Sequence, residues 1–539
     1  MSWASPSIGW FSGDYRWPLL GDFRNCILYV ETVEDSSTQL RKIIATAFYQ
    51  FCLLACSILV LSLPVSAQEL QAGTALEVRL SGATGSRVSH RGDPVQATVI
   101  APVSLHGRTL VPQGAKLLGS IANATAIGFG LKHSTASLAY SFHTLELPDG
   151  AAIPVNAQLV EVETAKESVD NFGTVHGIHP IVSLSSNVSL YAVAFLIVDP
   201  AIGVPVWCIK SVIAPSANPE IYFPTGTELI LRLTTAVALP GPNTDSQISI
   251  QPFPRSDLTE IEQFLKNSAP RTHLGNRPSD IINMLLIGSR SQIDRAFHAS
   301  GWLQAQRKSP VSLFRMYHAL TKRRGYPKAP MNALTLTGVP SAFVYQKSLD
   351  TIQKRHHVRF WQYPLRTNIW LGATAEDVGL RFEQAHWTHS TNPNIDTERA
   401  KIVDDLAFTG CVNAAGLVSR PAADLLQDPK AEHLIETDGD VAVIRLNDCT
   451  HPNRMPGVDG TLASQRHGPL ARTLIALRDD LRGSNILFTT YNTLRFLTKH
   501  NAKATTTQAP LVTGEPRGLD WLPATVPPES RASANYSRQ

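Results

Sequence analysis

GTALEVRL, residues 73–80, decides how the first half of the chain is read. Leu76, Val78 and Leu80 alternate with Ala75, Glu77 and Arg79. A period of two puts one set of side chains on each side of a β-strand. The pattern returns at GTELILRL, residues 226–233, with the same Gly-Thr start and Arg-Leu end. Each copy follows a short turn-like approach, LQA or FPT. Chance alone can produce two such strands; the matching ends argue for a recurring β unit.

Working outward, VQATVIAPVSL (95–105) and RTLVPQGAKLLGSI (108–121) read as strands, the latter broken at Pro112-Gln113-Gly114. Residues 135–163 alternate apolar and polar side chains, with Pro148-Asp149-Gly150 as a turn. A small antiparallel barrel or sandwich over 70–165 is the natural expectation, with a second β segment at 221–255. The GT-x-L-x-V-x-L strand followed by V-P-x-G-A-x-L-x-G resembles the β-barrel of conjugation and type IV secretion core proteins of the VirB10/TrbI kind. That resemblance implies a cell-envelope structural module rather than an enzyme.

The chain has 539 residues, too many for one core and enough for three or four units. Hydrophobic residues at 43% and charged residues at 17% suit a globular protein and exclude wholesale disorder. A net charge of +4, with scattered basic residues, does not suggest nucleic acid as a partner. The densest basic run, Lys322-Arg323-Arg324, reads as a solvated loop.

Residues 41–67 have the layout of a secretory signal peptide or membrane anchor. Arg41 and Lys42 form a positive edge, an apolar run follows from Ile43 to Leu63, and Pro64 to Ala67 offer a small-residue cleavage site. The forty residues before it are either a non-native extension from a misplaced start or a cytosolic segment. Leu53-Leu54-Ala55-Cys56 resembles an acylation box, but the apolar run continues past Cys56. The six cysteines include no C-x-x-C pair, which argues against zinc-ribbon and thioredoxin readings. Cleavage after Ala67 would leave Cys208, Cys411 and Cys449, an odd number. Cys411 and Cys449 are a candidate pair that spacing alone does not decide.

Residues 166–220 read as a linker with an apolar segment. His176 and His179 have H-x-x-H spacing, but Gly177 and Pro180 favour a loop over a metal-binding helix. The apolar stretch 181–210 is interrupted by Asp199, Pro200, Gly203 and Pro205. It is short for a membrane span, and buried or interfacial structure fits it better.

From about Ser279 the pattern becomes mixed α/β. IINMLLIGS (281–289) is an apolar run of strand length. Ser289 and Gln292 form a capping box for a helix with Ile293, Ala296 and Phe297 on its apolar face, ending at Gly301. Strands are expected at 332–346, 356–363, 367–382 and 440–448, and a helix capped by Asp396 runs to Gly410. The fold class expected is thus α+β multidomain, with N-terminal antiparallel β modules and a C-terminal mixed α/β domain over 270–450. Residues 451–500 suggest helices, and the Thr-, Ala-, Pro- and Ser-rich tail 501–539 suggests disorder.

SDIINMLLIGSRSQIDRAFHASGW, RHHVRFWQ, IWLGATAEDVGL and NIDTERAKIVDDL, over about 279–412, closely resemble the LssY C-terminal domain family in order and spacing. The resemblance implies envelope association and a link to a secretion locus, and no established reaction. Some family members carry a membrane phosphatase of the phosphatidic-acid type. Its Pro-Ser-Gly-His and SR-x5-H-x3-D motifs are missing here: Ser289-Arg290 precedes His298 with seven residues between rather than five.

Within that block, KRHHVRFWQ (354–362) holds the most chemistry. On a strand, His356, Val358 and Phe360 share one face, and Arg355, His357, Arg359 and Trp361 the other. The adjacent histidines therefore do not readily share a metal. Arg355, Arg359 and Arg399 are candidate ligands for a carboxylate or phosphate. His357, Arg359, His389, Asp396 and Glu398 are candidate acid/base groups, with Asp377 and His386 as further partners. The structural alternative pairs Arg355 and Arg359 with Asp396, Glu398 or Asp404 to fix the helix on the sheet. No cofactor or metal is assigned.

The leading expectation is an exported bacterial protein, periplasmic or anchored in the inner membrane, that binds or scaffolds envelope proteins or membrane. The alternative is a hydrolase or metal-dependent enzyme acting on a small anionic ligand.

Overall fold

The computed structural model describes residues 48–50, most of 68–178, 195 and 198–239, most of 250–456, and scattered positions between 468 and 498. The chain divides into two compact units, Met1–Ala67 and Gln68–Gln539. The expectations for the first forty residues, most of the 41–67 segment, His179 and the 501–539 tail lie outside the described residues.

Six antiparallel strands close into a barrel. They are β1 (Ala75–Leu80), β2 (Pro94–Val99), β3 (Lys116–Thr125), β4 (Ser137–Glu146), β5 (Ala152–Val162) and β6 (Glu228–Leu233). Around the barrel the order is β4-β3-β2-β1-β6-β5, and β5 pairs back onto β4. A hairpin of Ser168–Val169 and Thr174–His176 extends from β4. His176 therefore lies on a strand rather than in the expected loop, with Nε2 2.9 Å from Asp170.

The two Gly-Thr strands are neighbours in this single barrel, with Val78 opposite Leu229 and Leu76 opposite Leu231. Their shared start has one cause. Gly73 and Gly226 both take positive φ, 93° and 92°, at the third position of a turn. Thr74 and Thr227 each bond back to the turn's first carbonyl, Gln71 and Pro224, through both N–H and hydroxyl. Glycine is the residue that takes this conformation without a Cβ penalty. The inward set, including Leu76, Val78, Leu80, Leu117, Phe142 and Leu231, forms the barrel core. The outward set on β1 and β6 includes Glu77, Arg79 and Glu228.

The C-terminal half is a mixed sheet of β7 (Met284–Ile287), β8 (Leu303–Gln304), β9 (Phe343–Ser348), β10 (Arg355–Gln362), β11 (Ile369–Glu383), β12 (His386–Thr391), β13 (Val412–Ser419) and β14 (Asp440–Leu446). The order is β8-β9-β10-β11-β7-β14-β13, with β12 on β11, and only the β7–β14 pairing within it is parallel. Five helices are described: α1 (Pro200–Ile213), α2 (Arg255–Asn267), α3 (Arg290–Ala299), α4 (Pro310–Thr321) and α5 (Ile395–Phe408). The sheet has a core on each face. Val358 and Phe360 pack with Phe297, Ile402 and Val403 of α3 and α5. Trp361 and Leu371 pack with Ile261 and Leu265 of α2.

The Ser289–Gln292 capping box and the buried Ile293, Ala296 and Phe297 are present as expected. Three further expectations are corrected. The run 281–289 is not one strand: Ile282 and Asn283 interrupt it, and the Asn283 amide bonds Thr374 and the Ile395 carbonyl. The 332–346 stretch is split by a turn at Thr337-Gly338, where both residues have positive φ. Asn394, not Asp396, caps α5, because its Oδ1 accepts from the N–H groups of Asp396 and Thr397. Asp396 then lies in the first turn, where the helix dipole favours an acid. Cys411 and Cys449 are joined by a disulfide, Cα to Cα 4.7 Å, while Cys208 is free and exposed.

Candidate functional site

Strand β10 lies between β9 and β11 in the sheet, with seven of its eight residues buried. The alternation read from KRHHVRFWQ holds, and the two histidines meet different surroundings.

On the face toward α5, His356 sits between two carboxylates. Its Nδ1 is 2.6 Å from Glu398 on α5, and its Nε2 is 3.2 Å from Glu163, just past the end of β5. Burial works against a charged ring here, but Glu398 and Glu163 outweigh it and raise the His356 pKa to about 10. With carboxylates at both nitrogens, the imidazolium form donates from each. Burial likewise pushes Glu163 up, yet Lys401 and His356 hold it down at about 2. Glu398 stays raised, to about 7, because burial exceeds the pull of His356.

This pair belongs to a larger buried network between barrel and C-terminal sheet. Glu228 on β6 is bound by Arg79 of β1 at 2.5 Å, Lys347 of β9 at 2.7 Å and Lys401 of α5 at 2.6 Å. Lys347 also meets Asp405 at 2.5 Å, and the indole of Trp302 donates to that same carboxylate. Lys401 is 3.8 Å from Glu77 and 3.9 Å from Glu163. Lys354 pairs with Glu161 at the rim. The acids thus come mainly from the barrel wall, and the cations mainly from the C-terminal half. Gly301, at φ +83°, fits beneath Arg79: a Cβ there would lie 2.9 Å from the guanidinium.

On the other face, Arg355 and Asp377 are direct cross-strand partners and bond at 3.0 and 3.2 Å. His389 reaches Arg355 at 3.3 Å and Asp377 at 3.5 Å. His357 is 2% exposed, and its Nδ1 has no hydrogen-bond partner, with Asp377 3.9 Å away. Burial, aided by the charge of Arg359, drives its pKa well down, so it stays neutral. Arg359 is paired with Asp280 at 2.8 Å. A cavity of about 20 Å³, room for a single water, lies beside Asp280, Thr374 and Ala375.

The structure therefore brings together some of the residues expected to act together and separates others. His357, His389, Asp377 and Arg355 converge. Glu398 does not join them: it lies on the opposite face of the sheet with His356. Asp396 is engaged elsewhere, accepting from Thr437 and the Asp438 N–H and pairing with Arg399. Arg355, Arg359 and Arg399 do not form one anion site, because each closes on a different carboxylate, Arg399 on Asp438 at 2.8 Å. Nor do Arg355 and Arg359 pair with Asp396, Glu398 or Asp404, since α5 packs on the other side of the sheet. His386 lies on β12, and its side chain is outside the described residues. Among the described residues no group of three His, Cys, Asp or Glu has metal-binding geometry.

Residues 261–441 match the family described as LssY C-terminus. This contains the block recognised from its motifs and extends beyond it at both ends. No curated protein matches the chain. Among solved structures, ComB10 of the Com type IV secretion system of Helicobacter pylori is similar at 17% identity, over 33% of this chain and 94% of that chain. The superposition is poor, with a TM-score of 0.19, and the barrel topology stands on its own strand pairing.

Proposed function

We propose that this chain is an exported, envelope-associated bacterial protein that binds or scaffolds, with the barrel and the LssY-type domain acting as one body. The observation that carries this reading is the use made of the β10 residues. Arg355, Arg359 and Arg399 each close on a carboxylate, Asp377, Asp280 and Asp438, and Glu398 closes on His356, which also meets Glu163 of the barrel. Removing one partner of such a pair is costly, which suits a fixed junction better than a site that must open to substrate.

Export is supported by the Cys411–Cys449 disulfide, since such bonds persist in oxidising compartments. The positively edged apolar run over 41–67 supports it from sequence. Contact with membrane is supported by α1, whose Ile202, Val204, Ile209 and Ile213 are exposed. Among the described residues no helix is long and apolar enough to cross a membrane.

The second reading, a hydrolase or metal-dependent enzyme on an anionic substrate, is favoured by the convergence of His357 and His389 on Asp377. Against it, Arg355 occupies the same carboxylate, and three of the four groups are buried. Metal content and melting of the purified protein, with and without EDTA, separate the two. The scaffold reading expects no stoichiometric metal and equal melting in both buffers. A bound metal lost in His357→Ala would favour the enzyme. Envelope fractionation of the native protein, with alkylation of free thiols, tests export: Cys411 and Cys449 should resist labelling until reduced.

A further inference from the structure

Helix α4, Pro310–Thr321, faces the wrong way for a globular core. Its inward side presents Ser312 and Ala319, which are buried. Its outward side presents Val311, Leu313, Phe314 and Tyr317, between 41% and 59% exposed. At 100° per residue these four span about half the helix circumference, an apolar stripe turned to solvent, with His318 packed on Phe314 within it. The helix is well formed: Ser309 and Ser312 make a reciprocal capping box, and Pro310 occupies the first turn. The exposed stripe is therefore a property of an ordered element.

The charge flanking it along the chain has one sign. From Arg295 to Leu349 the sequence contains no aspartate or glutamate. Exposed Arg307 and Lys308 precede the helix, exposed Arg315 borders the stripe, and Arg324 and Lys328 follow. The Lys322-Arg323-Arg324 run, read from sequence as a solvated loop, forms the C-terminal rim of this helix. An apolar stripe that contains Phe314 and Tyr317 and is flanked along the chain by basic residues is complementary to a surface that is apolar below and anionic above.

We infer that α4 is a docking face for an anionic phospholipid bilayer, lying in the interface with Leu313, Phe314 and Tyr317 inserted and Lys308 and Arg315 at the headgroups. This rests on the envelope reading and deepens it by naming a face, in addition to α1, that meets the membrane. An acidic protein partner would have to supply a matching apolar groove as well as acids, whereas an anionic bilayer presents both over its whole surface.

The test uses the full chain with two kinds of vesicle, phosphatidylcholine alone and phosphatidylcholine mixed with phosphatidylglycerol. Any N-terminal anchor inserts in both, so the comparison reads α4 itself. Amide hydrogen exchange over 310–321 should slow roughly ten-fold in the anionic vesicles, and high salt should reverse part of the effect. Leu313→Ser/Phe314→Ser should abolish the slowing, and Lys308→Gln/Arg315→Gln should weaken it. In both variants β10 and β11 should keep wild-type exchange, which confirms folding. Equal α4 exchange in the two vesicle types, as an acidic protein partner would give, overturns the inference. So does protection that survives Leu313→Ser/Phe314→Ser. Either failure leaves the fractionation and thiol-labelling results standing, so the wider envelope reading is judged separately.

Discussion

His356 and His357 are adjacent in sequence, equally buried, and opposite in chemical state. His356 is held charged between Glu163 and Glu398, and it joins the C-terminal sheet to the barrel. His357 is held neutral beside Arg355 and Arg359, with Nδ1 unbonded. The difference comes from the pleat. One residue step changes the face, and each face carries its own neighbours. On one side the neighbours are barrel acids and α5; on the other they are cross-strand Asp377 and the arginines of β10 itself. Adjacent ionisable residues on a strand are therefore poor evidence for a shared site.

The largest effect should come from the His356 side. Lys401→Met removes the cation that Glu228, Glu163 and Glu77 share, and it should lower stability by about 3–5 kcal/mol in denaturant titration. A change below about 1 kcal/mol would mean that the network is not the junction. On the opposite face, Arg359→Ala leaves Asp280 without its guanidinium. The cost there should be smaller, about 1.5–3 kcal/mol, because the Asp280 carboxylate is 13% exposed.

The histidines themselves should differ in the sign of their pH dependence. The folded pKa of His356 is raised, so its contribution is complete below about 6.5 and is lost as pH rises toward about 10. The stability gap between wild type and His356→Gln should therefore narrow across that window. The folded pKa of His357 is depressed, so the wild type loses stability as pH falls below 6.5, where only the unfolded chain takes up the proton. Over the same acid range His357→Gln should gain on the wild type by up to about 1.4 kcal/mol per pH unit. Slopes of the same sign would contradict the two-face account. The smallest effect should be at the surface. Arg366→Ala breaks a pair with Glu260 that is more than half exposed, and it should change stability by no more than about 0.5 kcal/mol.

Local patterns in the sequence were sufficient for much of this. The alternation in GTALEVRL and GTELILRL, the capping box at Ser289 and the two faces of KRHHVRFWQ each depend on residues within a turn or two of one another. Asp377 was legible as a possible partner for the Arg355, His357 and Arg359 face, but Arg355 itself was expected to pair with Asp396, Glu398 or Asp404, because strand adjacency is not written in GATAEDVG. Glu163, Glu228, Glu77 and Lys401 were not legible, since what gives them meaning is tertiary. His356 and Glu163 are 193 residues apart in sequence, and Lys347 and Glu228 are 119 apart. The one local mark of Glu77 and Glu228 was an acid on the polar side of a barrel strand, which also describes an ordinary solvated residue. Helix α4 shows the converse. From its region only the Lys322-Arg323-Arg324 run is read, as a solvated loop, because nothing local tells an apolar helix face that is covered from one left open to solvent.

The central claim is that the charged face of β10 makes barrel and C-terminal sheet one cooperative unit. Native-state hydrogen exchange across a denaturant gradient tests it most directly. The most protected amides of β1 and β3 should merge with those of β10 and β11 onto a single opening isotherm. Lys401→Met should lower that isotherm for both halves together. Separate isotherms in the wild type, with Lys401→Met shifting only the α5 and β10 amides, would contradict the claim.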